Sequence, residues 1–193
     1  MLAADDYLYS HAEYFALEAQ VDVKSEYYQG RLVAMTGGSL NHNRIAGNIY
    51  TMIGQRLENR GCETFIGDVR VWIEAKDIFA YPDVIVVCGQ PALMAGRPDT
   101  VTNPKIIIEV LSKSTAGYDK GDKFYGYWSL ETFEEYVLVD QYQMRVEYFR
   151  RVDDKIWELR VFTRLSDHLT LQSVDVTLPL DRIYRNVDWL EPE

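Results

Sequence analysis

The feature that most constrains this chain is the run Lys105-Ile106-Ile107-Ile108-Glu109-Val110-Leu111. A nearly continuous apolar stretch of this length reads as a central strand covered on both faces. Such a strand needs paired neighbours and packed layers above and below, which points to a sheet-centred domain flanked by helices. Within the run stands Glu109. An ionised carboxylate there costs several kcal/mol unless it is paired or bound to a metal. A salt bridge to Arg70 or Arg44 is the plain structural alternative.

The rest of the chain supplies the neighbours. Ser10 with Glu13 three residues on reads as a capping box before a helix over residues 11–19. Residues 31–35 read as a strand, and Thr36-Gly37-Gly38-Ser39 as a flexible turn and helix start. Ile45, Ile49, Met52, Ile53 and Leu57 recur at helical spacing, with Gly61 as the stop. Strands follow at 63–66, 69–74 and 83–88. A Pro- and Gly-broken loop spans 90–103. A second helix covers about residues 118–130. A buried-type strand at 136–140 precedes an antiparallel pair, 145–150 and 156–162, joined by a turn at 152–154. A short amphipathic piece at 180–184 leads to an acidic tail. No linker or repeat interrupts this order, so residues 1–193 read as one α/β domain with a mixed sheet flanked by helices.

Composition narrows the partners. Nearly half of the residues are apolar (47%) and about a quarter charged (26%), as in a soluble globular domain. No stretch of about 18 apolar residues suggests a membrane span, and the N-terminus lacks the pattern of a secretory signal. Cys62 and Cys88 form no C-x-x-C pair; they read as inert packing thiols and fit a reducing cytoplasm. The net charge of −10 argues against tight, metal-free DNA binding by a monomer. It leaves room for a small cleft in which metal ions cancel the local charge.

Several residues are candidates for chemistry. Asp83 opens the apolar strand Val84-Ile85-Val86-Val87 after Tyr81-Pro82, although Pro-Asp is also an ordinary turn dipeptide. If its strand pairs with that of Glu109, the two carboxylates converge on one divalent cation. Hard oxygen ligands with open water positions suit Mg²⁺ or Mn²⁺. Lys120 and Lys123 lie on the next helix, either as a solvated face or as a source of positive charge beside a phosphate. Glu26 reads as a further carboxylate or a surface charge, and His42 as a general base or a polar residue at a helix start. Three histidines without a His-x₃-His pair speak against zinc.

Taken in order, Ser25-Glu26-Tyr27-Tyr28-Gln29-Gly30-Arg31-Leu32-Val33-Ala34-Met35, Asn41-His42-Asn43-Arg44-Ile45, Asp68-Val69-Arg70-Val71, Tyr81-Pro82-Asp83-Val84, Ile108-Glu109-Val110-Leu111-Ser112-Lys113-Ser114-Thr115 and Asp119-Lys120-Gly121-Asp122-Lys123 carry a resemblance. The chain resembles the Uma-type restriction-endonuclease-like proteins of the PD-(D/E)XK nuclease superfamily over about residues 10–185. The resemblance implies a restriction-endonuclease-like core and Mg²⁺-dependent (or Mn²⁺-dependent) hydrolysis of DNA. Asp83 and Glu109 would be the motif carboxylates, with the Val110 carbonyl as a third metal ligand and Glu26 as an added glutamate. The superfamily pattern places a lysine two residues after the glutamate. Here that residue is Leu111, and Lys123 on the following helix is the matching position. Two other readings stay open: a non-catalytic nucleic-acid-binding or accessory protein that keeps the fold, and a hydrolase of another phosphodiester. A homodimer is a further expectation, with the aromatic-rich strands after Tyr136 as its interface.

Overall fold

The computed structural model describes residues 7–21, 23–35, 37–113 and 116–189. Ser114 and Thr115, which the sequence places at the start of the second helix, and the end of the acidic tail lie outside the described residues.

Helix α1 (His11–Glu18) begins as its spacing predicts. The Ser10 hydroxyl accepts from the Glu13 amide, and the Glu13 carboxylate accepts from the Ser10 amide at 2.8 Å. Strands β1 (Ser25–Tyr28) and β2 (Arg31–Ala34) form a hairpin around Gln29 and Gly30, both at positive φ. Helix α2 (Leu40–Leu57) starts at Ser39, whose side chain accepts from the His42 amide. Ile45, Ile49, Ile53 and Leu57 form its buried stripe. It ends before Gly61, because Glu58 leaves helical geometry and Asn59 turns to positive φ. Gly61, also at positive φ, then leads into β3 (Cys62–Ile66).

The chain continues through β4 (Arg70–Ile73), β5 (Ile78–Ala80), β6 (Val84–Cys88), β7 (Thr100–Val101) and β8 (Ile106–Leu111). The expected second helix is interrupted. A turn of helix, α3 (Ala116–Tyr118), passes into a π-helical turn, Asp119–Lys123, and then into α4 (Phe124–Trp128). Strands β9 (Glu135–Asp140), β10 (Val146–Arg151) and β11 (Trp157–Phe162) follow. A small hairpin of β12 (His168–Leu171) and β13 (Val176–Pro179) precedes α5 (Leu180–Ile183).

Among the described residues the strands divide into three sheets. A six-stranded mixed sheet has the order β11-β10-β9-β8-β6-β3, and a five-stranded one the order β2-β1-β5-β4-β7. The β12–β13 hairpin stands apart. In the larger sheet β8 and β9 are parallel, so a crossover must join them, and the segment from α3 to α4 is that crossover. The architecture is α/β, with mixed sheets flanked by helices.

Every residue of β8 is buried, as its run of isoleucines demands. Period-two alternation sends Ile106, Ile108 and Val110 toward α2, α5 and the small hairpin. It sends Ile107 and Leu111 to the opposite face, where Phe124 and Tyr127 of α4 and the five-stranded sheet pack. Glu109 lies between Ile107 and Leu111 and therefore shares that second face.

One reading of the sequence is corrected here. Cys62 and Cys88 are not separate packing thiols. They are register partners on β3 and β6, and they form a disulfide. Nothing in the sequence revealed that the two strands would pair in this register. The inference of a reducing compartment rested on free thiols and loses that support.

Candidate active site

Asp83 immediately precedes Val84, whose partner across the β6–β8 ladder is Ile108, the residue before Glu109. The two carboxylates thus enter one cleft from neighbouring strands. Asp83 is fixed by its own ladder: its Oδ2 accepts from the Val110 amide at 2.7 Å, and its main-chain carbonyl accepts from Gly67.

Glu109 meets its counter-charge in Lys123, and neither Arg44 nor Arg70 serves. Arg44 pairs with Asp188 at 2.7 Å, and Arg70 with Asp99. The Lys123 Nζ lies 2.8 Å from Glu26, 3.0 Å from Glu109 and 3.1 Å from Asp119, with all four side chains buried. Glu109 also accepts from the Tyr127 hydroxyl at 3.1 Å, and Glu26 from the Tyr81 amide at 2.9 Å. Glu26, which by its residues alone read more readily as a surface charge, is 5% exposed and belongs to this cluster.

Lys120 and Lys123 do not share a role. Lys120 turns outward to Glu147 at 2.9 Å, while Lys123 points into the cleft. Both lysines lie in the π-helical turn, Asp119–Lys123. Such turns recur at functional sites.

Burial pushes the Glu109 carboxyl well above the usual carboxylate range. Lys123 opposes that shift, while Asp119 and Asp83 add to it. Glu26 is raised for the same first reason. Burial works against the charge of Lys123, but Glu109 and Glu26 outweigh it and hold the ammonium well above its ordinary pKa. The cluster is therefore one ammonium embedded among three buried carboxyl groups.

His42 lies at the start of α2 with its Nε2 3.3 Å from Asp83 Oδ1. Burial lowers its basicity, but the bond to Asp83 reverses this and raises its pKa above 6.5, helped by the Val110 backbone. The glycine before it has a physical reason. A Cβ on Gly38 would stand 2.8 Å from His42 Nδ1, so only glycine lets the ring fold back over the turn.

These groups line a cleft of about 740 Å³ between the two larger sheets and the start of α2. Its wall carries five carboxylates (Glu26, Asp68, Asp83, Glu109 and Asp119) against three lysines (Lys24, Lys113 and Lys123). No three His, Cys, Asp or Glu side chains among the described residues converge as a ready set of metal ligands. What the cleft offers is a carboxylate pair, Asp83 and Glu109, with the main chain at Val110. In donor type this fits a hard divalent cation that keeps several of its waters.

Asp83, Glu109, Lys123, Glu26 and His42, all candidates from the sequence, line this one cleft. Asp119, quoted within a motif but given no role, and Tyr127, which sits in the expected helix with no pattern to set it apart from packing residues, join them around Lys123 and Glu109.

A mixed sheet with one carboxylate at the start of a strand, a second within the adjoining strand, and a buried lysine from the following helix has the layout of a restriction-endonuclease-like core. The chain belongs to the Uma2 family, described as "Putative restriction endonuclease", which it matches over residues 11–181. Two uncharacterized proteins of Synechocystis sp. (strain ATCC 27184 / PCC 6803 / Kazusa) are similar to it. One, sll1609, is 38% identical over 159 residues, covering 82% of this chain and 90% of that protein. The other, slr1290, is 32% identical over 180 residues, covering 92% of each. The crystal structure of a "putative nuclease belonging to DUF820" from Anabaena variabilis ATCC 29413 has a similar fold. Its TM-score is 0.69, with 17% identity over 83% of this chain and 89% of that one. At that identity the likeness speaks for the fold alone.

Proposed function

We propose that this protein is a metal-dependent endonuclease that hydrolyses DNA phosphodiester bonds, with Asp83, Glu109 and the Val110 carbonyl holding Mg²⁺ or Mn²⁺. The observation that carries this reading is the charge of the cleft. Carboxylates outnumber lysines on its wall, so a phosphodiester approaches readily once divalent cations change the sign of the local field. A bound cation would supply charge neutralisation for the phosphate and a more acidic water. Lys123 then orients the attacking water and offsets the negative charge that builds on the phosphate oxygens. Glu26 and Asp119 hold that ammonium in place. The start of α2 borders the cleft through Gly37, Gly38 and Ser39, where the helix dipole favours a phosphate group.

Incubation of the purified protein with supercoiled plasmid and single-stranded DNA, in Mg²⁺ or Mn²⁺, tests the proposal beside Asp83→Ala. Metal-dependent cleavage that disappears in the variant is the expected result. Cleavage that survives the substitution would show that the site is misplaced. If a folded wild-type protein cleaves neither substrate and binds no metal, the non-catalytic reading takes its place.

A further inference from the structure

The six-stranded sheet ends in β11, and no strand among the described residues pairs with its outer side. An open edge carrying apolar side chains invites pairing with another chain. Leu159 is 51% exposed, Val161 43% and the preceding Ile156 55%. Trp157, on the same face as Leu159 and Val161, packs against Phe124 and Phe133 beneath α4.

The hydrogen-bond phase of this edge can be read from its hairpin. Val152 N–H donates to the Ile156 carbonyl, while Arg151 N–H donates away from β11, to Glu134. Ladder bonds alternate in an antiparallel pair. Ile156, Glu158, Arg160 and Phe162 therefore direct their backbone groups toward β10. Trp157, Leu159 and Val161 direct theirs outward.

We propose that this edge pairs with the same edge of a second copy of the chain, antiparallel and centred on Leu159. Any self-pairing centred on a residue keeps the outward groups in phase, and the three centred on Glu158, Leu159 and Arg160 overlap most of the strand. Centring on Glu158 sets two glutamates opposite each other, and centring on Arg160 sets two arginines opposite each other. Centring on Leu159 sets Glu158 against Arg160 of the second copy, and Arg160 against its Glu158. The same register places Trp157 against Val161 and Leu159 against Leu159 on one face, and Ile156 against Phe162 on the other. Charge and apolar patterns are both self-complementary in this one register, the hallmark of a two-fold interface. The two-fold axis runs perpendicular to the sheet, so one sheet is continuous across both copies and both α4 helices lie on the same side.

The test is sedimentation equilibrium with charge-swapped variants. Wild type is expected at twice the monomer mass. Glu158→Arg and Arg160→Glu are each expected at the monomer mass with unchanged circular dichroism, because each brings like charges together. An equimolar mixture of the two is expected to return to the doubled mass as a heterodimer, since both cross-strand pairs are then Arg–Glu. A monomeric wild type, a wild-type dimer unaffected by either change, or a mixture that stays monomeric would each overturn the proposal. Within one chain Glu158 pairs with Arg160 at 2.9 Å and with Arg150 at 3.0 Å, and a second copy extends this charge pattern across the edge. Neither Glu158 nor Arg160 lines the cleft, so the result stands apart from any nuclease activity.

Discussion

On one face of the six-stranded sheet, Ile106, Ile108 and Val110 of β8 meet Ile45, Ile49 and Ile53 of α2 in a dry aliphatic layer. On the other face, Ile107 and Leu111 of the same strand flank Glu109, and three carboxyl groups crowd within about one hydrogen bond of Lys123 Nζ. The strand and its neighbours are shared; the alternation of its side chains separates the two regimes. Burying aliphatic surface stabilises the domain at roughly 25 cal/mol per Å². Burying an ion cluster tends at best to break even against well-packed apolar residues. The charged face is therefore not explained by stability and is better explained by the chemistry it keeps ready.

The contrast is sharpest for Lys123→Met. Cleavage activity should fall by about 10²–10³-fold, the usual loss when a preorganised electrostatic group is removed. Stability should fall by about 3–5 kcal/mol, because three buried carboxylates lose their cation. The loss should also depend on pH. Burial already raises Glu109 and Glu26 above the ordinary 4.5, and Lys123 opposes that shift. A carboxyl whose folded pKa exceeds its unfolded value binds its proton more tightly in the native state. Its stabilisation is full below about 4.5 and declines as pH rises through the folded value. Urea midpoints measured near pH 5 and near pH 8 should therefore separate more widely in the variant than in wild type. Equal separation would mean that the cluster is not the coupled unit described here.

On the dry face, Ile49→Ala should cost about 2–5 kcal/mol in urea denaturation. Cleavage per folded molecule should stay at the wild-type level. A large loss of activity in a folded Ile49→Ala protein would break the separation between the faces.

The disulfide is a third probe. It closes a sequence separation of 26 residues and lies at the end of β6 away from Asp83. Replacing both cysteines by serine should lower stability by about 3 kcal/mol and leave cleavage intact. The smallest effect is expected at the α1 cap, where Ser10→Ala should cost about 1 kcal/mol in thermal or urea unfolding, far from either face of the sheet.

Legibility from sequence follows the same division. The aliphatic stripe of α2 and the run in β8 were plain, because burial on a regular element leaves a period. The convergence of Asp83 and Glu109 was legible only on the condition that their strands pair, one carboxylate opening an apolar strand and the other standing within one; the β6–β8 ladder meets that condition. β5 was missed because Ile78-Phe79-Ala80 is too short to show alternation, and β7 because two residues carry none. β1 was hidden by the polar residues that precede it. The resemblance grouped Glu26 and Glu109 with Lys123, but not as its ion partners. Glu26, Glu109 and Asp119 come from three separate elements, and only the tertiary fold brings them to one nitrogen.

The central claim is that the Asp83 and Glu109 carboxylates hold a divalent cation in the cleft. Calorimetric titration of Mn²⁺ into the wild-type protein and into Asp83→Asn/Glu109→Gln tests it without reference to any substrate. The account predicts saturable binding to wild type that is lost in the folded double variant. Equal binding by both proteins, or none by wild type, would contradict it.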